Sequence, residues 1–356
     1  MIQSHFLSFS FLFNLYICSM DSLTQIVLGA AVGEAVAGRK IGAKGALLGA
    51  IGGTIPDLDV FLRFFYDPLD AALVHRGFSH SLLFALLAGP SLAYLSHLLS
   101  KKTYSFKMWF LLWFLSIVTH PMLDIFTNYG TQFFWPFSWR LTFNTVFVID
   151  PLYTIPFMVL LIGALLMKRE SKRRKIWNWT GIIYSSLYLL WGVIVKCCIY
   201  SNTDSYFAQA NIKPTRTMVT PMPLTSFYWD IIAEDDSNYY IGYKSLFADF
   251  NPKEIEIIPK NHHLLKALKW NGESRIPQIE HITNGFYTID KHLDSLFIYD
   301  LRFGTITTIT NGESRNPLMG YGFTTKGQKA GSVFSYRSKD FSKIQFGIYM
   351  QKVFGK

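Results

Sequence analysis

Three short stretches of this 356-residue sequence set carboxylates and imidazoles at spacings suited to metal ligation. Asp57 and Asp59 lie in IPDLDV, His75 and His80 in HRGFSHS, and His120 and Asp124 in THPMLD, while a further acid, Asp150, stands in VIDP. Imidazole nitrogen and carboxylate oxygen together suit a divalent ion, with Zn²⁺ the first expectation. His120 and Asp124 are four residues apart and so share one face of a helix. Asp57 and Asp59 follow Pro56, which ends a helix and leaves them to point from an extended turn. Gly77 lets the backbone bend between His75 and His80 so that both rings can face one ion. Arg76, beside His75, is a natural partner for an anionic substrate group such as phosphate.

These polar residues are embedded in apolar sequence. Six apolar segments lie near residues 22–38, 41–55, 80–99, 107–128, 146–167 and 176–199, and the last four approach the roughly 20 residues that a bilayer-spanning helix needs. The first two are shorter and carry Gly29, Gly33, Gly45, Gly49, Gly52 and Gly53, a pattern that predicts a tight hairpin of closely approaching helices. A carboxylate in hydrocarbon costs about 2.5 kcal/mol or more, so several at one level call for a compensating cation.

Basic residues give the orientation. Arg39, Lys40 and Lys44 separate segments one and two, Lys101, Lys102 and Lys107 separate three and four, and KRESKRRK separates five and six. Cytoplasmic loops carry the Lys and Arg, so residues 56–79, residues 129–145 and everything after residue 200 are expected outside. Asp57, Asp59, His75, His80, His120, Asp124 and Asp150 then fall at the same outer edge of the bilayer, although the topology used none of them. His97 lies at the opposite edge, where snorkelling explains it. Glu34, near the inner end of segment one, is expected to pair with Arg39 or Lys40. His262 and His263 are expected on a soluble surface.

Composition changes near residue 200. Half of the chain is hydrophobic and 16% is charged, against about 25% in soluble proteins. Residues 1–200 hold 16 Lys+Arg and 9 Asp+Glu, and residues 201–356 hold 18 and 15. The basic excess belongs to membrane-flanking loops and not to nucleic-acid binding. Runs such as FYWDIIAE, YYIGYKSLF, SLFIYDLRF, TITTIT and KIQFGIYM alternate like strands, with Asn311-Gly312 as a turn and one short helix expected around residues 261–270. The expected organisation is an N-terminal extension or extra apolar anchor over 1–19 (with Met20 as the start), a membrane-embedded metal-site domain over 20–200, and a β-rich extracytoplasmic domain over 201–356. The fold class is thus an α-helical polytopic membrane bundle of about six transmembrane or re-entrant helices followed by β structure. Cys18, Cys197 and Cys198 all lie in apolar stretches and imply neither a disulfide framework nor a thiolate metal site.

MDSLTQ at 20–25, GGTIPDLDV, HRGFSHSLLF, THPMLDIFTNYGTQ and PFSWR followed by FVIDPLYT, in this order, resemble the membrane-bound metal-dependent hydrolases of the YbcI/YdjM type, which include the domain called DUF457. The resemblance covers about residues 20–200. It implies a multi-helix cell-membrane protein with divalent metal, one ion or a pair, held by Asp57, Asp59, His75, His80, His120 and Asp124. Ser22 and Gln25 stand where similar sequences have Pro and His, which removes one candidate ligand. The leading expectation is a metal-dependent hydrolase at the outer membrane–water interface, acting on a small molecule or a lipid-linked phosphoester, with Arg76 and Asp150 in the catalytic set and membrane lipid as its surroundings. The alternative is a non-catalytic regulatory or scaffolding protein whose metal or polar cluster holds helices together. An ion-coupled transporter fits less well, because internal repeats and midplane polar residues are lacking.

Overall fold

The computed structural model describes residues 2–267, 269–270, 273–304, 318–325, 332–337 and 346–355. The TITTIT run at 305–310 and the Asn311-Gly312 turn lie outside the described residues. The chain divides into two compact units: a helical one, Phe13–Phe61 with Val74–Val193, and a β-rich one, Ile194–Lys356 with Leu62–Leu73 and Met1–Leu12.

All six apolar segments are helical. They fall in α1 (Ile2–Ile41), α2 (Ala43–Thr54), α4 (Leu82–Leu99), α5 (Phe106–Asp124), α6 (Pro151–Leu165) and α7 (Lys172–Tyr200), with the short α3 (Pro68–Val74) between α2 and α4. Among the described residues, α4, α5 and α7 are long and apolar enough to cross a membrane. α2 and the 3-10 helix Pro56–Phe64 after it make a fourth candidate, bent by 44°, while α6 is apolar but only 15 residues long. After Pro56 the chain thus continues as a tight helix and not as the expected extended turn. Proline at a first helical position gives up no needed hydrogen bond, so it ends α2 and opens the next helix.

α1 and α2 meet backbone to backbone. A Cβ at Gly33 would stand 2.2 Å from the Gly45 carbonyl oxygen, and one at Gly29 would stand 2.4 Å from that of Gly49. Only glycine permits this approach, as the small-residue pattern predicted. Val27, Ala30, Ala31 and Ala46 then pack with Leu123 of α5 and with Tyr153, Phe157 and Leu161 of α6. Near their other ends Glu34 pairs with Arg174 through two bonds of 2.6 and 2.7 Å, in place of the expected Arg39 or Lys40.

The β-rich unit continues from the last turns of α7 through α8 (Thr203–Ala208) into an antiparallel meander of β1 (Arg216–Pro221), β2 (Tyr228–Glu234), β3 (Asn238–Ser245) and β4 (Glu256–Pro259). After the two-stranded β5 (Lys269–Trp270) and β6 (Glu273–Ser274) comes α9 (Ile276–Thr283). A second antiparallel sheet runs β7 (Tyr287–His292), β8 (Ser295–Asp300), β9 (Met319–Thr324) and β10 (Val333–Arg337). The helix expected around 261–270 is a 3-10 helix, His262–Ala267, and α9 was not anticipated. His262 is partly buried, its ring stacked on Tyr287 at 4.1 Å, while His263 is exposed.

One strand reading is corrected. KIQFGIYM is not a strand from Phe346 onward but the start of α10 (Phe346–Val353). Its buried residues, Tyr349 and Val353, are four apart and fill the core beside Tyr228 and Ile232, so the helical period prevails over the apparent alternation. Segment 62–73 also joins this unit: Leu69 is fully buried in the cluster that contains Leu265, Ile279, Ile282 and Tyr287.

Candidate metal centre

The centre begins at a helix end. Because α2 stops at Thr54, the carbonyls of its last turn lack partners within the helix. One of them, that of Gly53, accepts a 2.5 Å bond from Nδ1 of His120 on α5. This bond assigns the ring proton to Nδ1 and turns Nε2 into the centre as an acceptor. His80 arrives from the other direction. The HRGFSHS loop ends in a short 3-10 turn at Phe78–His80, and Ser81 caps α4 by accepting from the Phe84 amide at 3.0 Å. His80 is thereby fixed one residue before the cap and is fully buried.

Four side-chain atoms converge. His80 Nε2 and His120 Nε2 are 3.2 Å apart. Asp57 Oδ1 lies 3.4 Å from each, and Asp124 Oδ2 lies 3.4 and 3.5 Å from them respectively. Asp57 Oδ1, His80 Nε2 and His120 Nε2 lie 3.2–3.4 Å from one another, the spacing of donor atoms about 2 Å from a common ion. Asp57, His80 and His120 form a group that could hold a metal ion by mutual distance, and Asp124 Oδ2 lies within 3.5 Å of both imidazoles. The second oxygen of Asp124 explains its orientation: Oδ1 accepts from Gln25 Nε2 at 2.9 Å and pairs with Arg76 Nη2 at 3.4 Å. Oδ2 is left buried without a hydrogen-bond partner, facing the two imidazoles. A buried carboxylate oxygen with no donor is costly, and a cation at the centre supplies what it lacks. Three carboxylates (Asp57, Asp59, Asp124) face one guanidinium (Arg76), so with neutral imidazoles the group is two negative charges in excess. A divalent ion fits this donor set in charge, ligand type and spacing.

The six residues expected as ligands thus divide into an inner four and an outer two. Asp59 accepts from His75 Nδ1 at 2.8 Å, from Ser79 Oγ at 2.8 Å and from the Arg76 amide at 3.2 Å, and its Oδ2 lies 3.2 Å from His80 Nδ1. That is the carboxylate–histidine pairing that orients a ligand ring from behind. Arg76 is almost fully buried, bonded to Thr127 Oγ1 at 2.8 Å and stacked over Tyr129 at 5.0 Å. Its backbone adopts φ +59°, a conformation that an Arg side chain disfavours and that the surrounding bonds must hold. Sequence reasoning gave Arg76 a substrate anion; its near partner here is Asp124. Asp150 caps α6, accepting from the Leu152 and Tyr153 amides at 3.0 and 3.3 Å and from Tyr188 Oη at 2.7 Å. His97 binds the Tyr104 carbonyl at the end of α4. Gln25, Ser79, Thr127 and the Gly53 carbonyl were not foreseen as parts of the site. Only Gln25 carried a signal, as the polar residue where similar sequences place His.

Comparison with known proteins agrees with the motifs. The pattern of the family described as YdjM inner membrane protein matches residues 20–197, half of the chain. An uncharacterized protein of Bacillus subtilis (strain 168), YfhP, is 33% identical over 130 residues. That match covers 33% of this chain and 38% of YfhP. No solved structure matches.

Proposed function

Given that the chain belongs to the YdjM inner membrane protein family, we propose that it is a metal-dependent hydrolase whose centre lies at the outer membrane–water interface. The carrying observation is the group of Asp57, His80 and His120 at metal-ligand spacing, with Oδ2 of Asp124, which has no hydrogen-bond partner, beside the two imidazole nitrogens. In this reading His80, His120 and Asp124, all buried, hold the ion. Asp57, whose side chain is 22% exposed, is the one of the four that water reaches. A Zn²⁺ ion held there would supply Lewis-acid activation of water near neutral pH. Asp57 would accept a proton at its carboxylate, while Asp59 and the Gly53 carbonyl hold the two rings and Gln25 and Arg76 hold Asp124. A lipid-linked phosphoester suits this position, because it reaches an interfacial site by lateral diffusion.

The outer location and the count of six membrane segments rest on the alternating Lys and Arg loops. Packing within the β-rich unit bears only on sidedness: segment 62–73 and residues after 194 share one core, which agrees with both lying on one side of the membrane, whichever side that is.

One observation favours a second reading. Asp57 stands as close to the two imidazoles as Asp124 does, so both carboxylates together with the imidazoles would make a closed structural site, whereas catalytic zinc keeps a position open. Elemental analysis and phosphoesterase assays on detergent-purified protein separate the two. The hydrolase reading expects about one equivalent of metal, lost in His120→Ala and retained in His97→Ala, and an Asp57→Asn variant that keeps metal but loses activity. A structural site predicts that Asp57→Asn loses metal and that the wild type has no activity. Wild-type protein without metal after metal-replete growth ends both readings.

A further inference from the structure

The metal ligands are interrupted in sequence by a piece of the other unit. Asp57 and Asp59 precede Leu62–Leu73, and His75 and His80 follow it, yet this segment belongs to the β-rich unit. Leu69 fills that unit's core, and Ala72 and Leu73 pack against the same cluster. A single guanidinium closes the arrangement. Arg275, immediately before α9 and almost buried, donates from Nη1 to Asp70 Oδ1 at 2.7 Å and from Nη2 to Asp67 Oδ2 at 2.9 Å. Asp67 has a second task, because its other oxygen accepts from the Leu69 and Asp70 amides at 2.9 and 3.0 Å and so caps α3. α3 then runs directly into His75 and Arg76, whose ring and amide both bind Asp59.

We propose that Arg275 is a positioning residue for the metal centre. By gripping the cap and first turn of α3, the β-rich unit sets where the chain re-enters the site, and thereby sets the Asp59–His75–His80 bonds behind the metal. The two pairs are charge-assisted and the guanidinium is nearly buried, while Asp67 and Asp70 are partly exposed, so removing the guanidinium leaves two neighbouring carboxylates without their shared cation. Metal occupancy and the grip on α3 are then linked, and linkage is reciprocal: metal strengthens the grip as the grip strengthens metal binding. This inference rests on the metal reading above.

The test uses full-length protein in detergent or nanodiscs, titrated with Zn²⁺ against a competing chelator and with Co²⁺ for its tetrahedral d–d spectrum. Arg275→Gln is expected to weaken metal binding by up to about 10-fold, the low end for groups bonded directly to ligands because Arg275 acts through α3, and to alter the Co²⁺ spectrum, with Arg275→Lys recovering part of the loss. Hydrogen exchange in 62–73 should slow on adding Zn²⁺ in the wild type and not in Arg275→Gln. Asp70→Asn, which breaks one of the two bonds and keeps the α3 cap, gives the same answer with less damage should Arg275→Gln fail to fold. Wild-type affinity and spectrum in both Arg275→Gln and Asp70→Asn, with metal lost in His120→Ala, overturn the proposal and leave the metal site standing. Absence of metal from the wild type as well would instead overturn the metal reading itself.

Discussion

At the scale of single residues, the centre depends on which oxygen of Asp124 is occupied. Gln25 and Arg76 take Oδ1 and leave Oδ2 for the imidazoles. Gln25 also donates to the His120 carbonyl at 3.3 Å, so one amide fixes both ends of the HxxxD pair. Gln25→Leu removes these donors without adding a charge. It is expected to weaken metal binding by about 10-fold or more, at the low end for an orienting partner, while Gln25→His supplies an imidazole and restores part of the affinity. Isothermal or chelator-competition titration reads both, and unchanged affinity in Gln25→Leu would show that Asp124 is oriented by Arg76 alone. The motif residues were legible because imidazoles and carboxylates are unexpected in apolar sequence. Their division into ligands and supports was not, because Asp57 and Asp59 differ only in which way each faces from a 3-10 helix.

At the scale of elements, the site is placed by the close contact of α1 and α2. The same seam that brings Gly33 onto Gly45 and Gly49 brings Gln25 beside Gly53, whose carbonyl orients His120. A side chain in the seam must push the two helices apart. Gly33→Val is therefore expected to destabilise the protein by about 1–3 kcal/mol or more and to weaken metal binding with it, read as a lower melting temperature in detergent and reduced metal content. Gly347→Ala is the control, since a Cβ there meets nothing within 4 Å. A Gly33→Val protein with wild-type melting would mean that the helices can separate without cost. The seam was visible in the spacing of small residues. The strand-to-helix error at KIQFGIYM arose because a short apolar run satisfies periods of 2 and 3.6 nearly equally, and only packing of Tyr349 and Val353 decides between them.

At the scale of the whole molecule, topology determines what the centre can reach. On the proposed topology, which puts Lys172 inside and residue 201 outside, an enzymatic reporter such as alkaline phosphatase fused after residue 201 is expected to be active, and one fused at Lys172 to be inactive. The opposite pattern would place the His and Asp residues on the cytoplasmic face and remove the outer leaflet as a source of substrate. Segment 62–73 gives an internal check, because Leu69 and Arg275 share one unit and must report the same side. Cysteine labelling at exposed Phe65 and at exposed Leu293 should therefore respond alike to a membrane-impermeant reagent.

Sequence alone determined the class of this protein: apolar segments of near-bilayer length, basic loops between them, six His and Asp residues in three motifs, and a β-rich region after residue 200. These features are legible because the low dielectric of a membrane penalises every polar group, so those that remain stand out. Tertiary structure alone decided that Asp57, His80, His120 and Asp124 converge while Asp59 and His75 support them. It also decided that Arg76 faces Asp124, that Glu34 pairs with Arg174, and that Leu62–Leu73 belongs to the β-rich unit. These depend on contacts between residues from 16 to more than 200 positions apart, whose pairing follows from packing and hydrogen-bond satisfaction across the fold and not from local spacing.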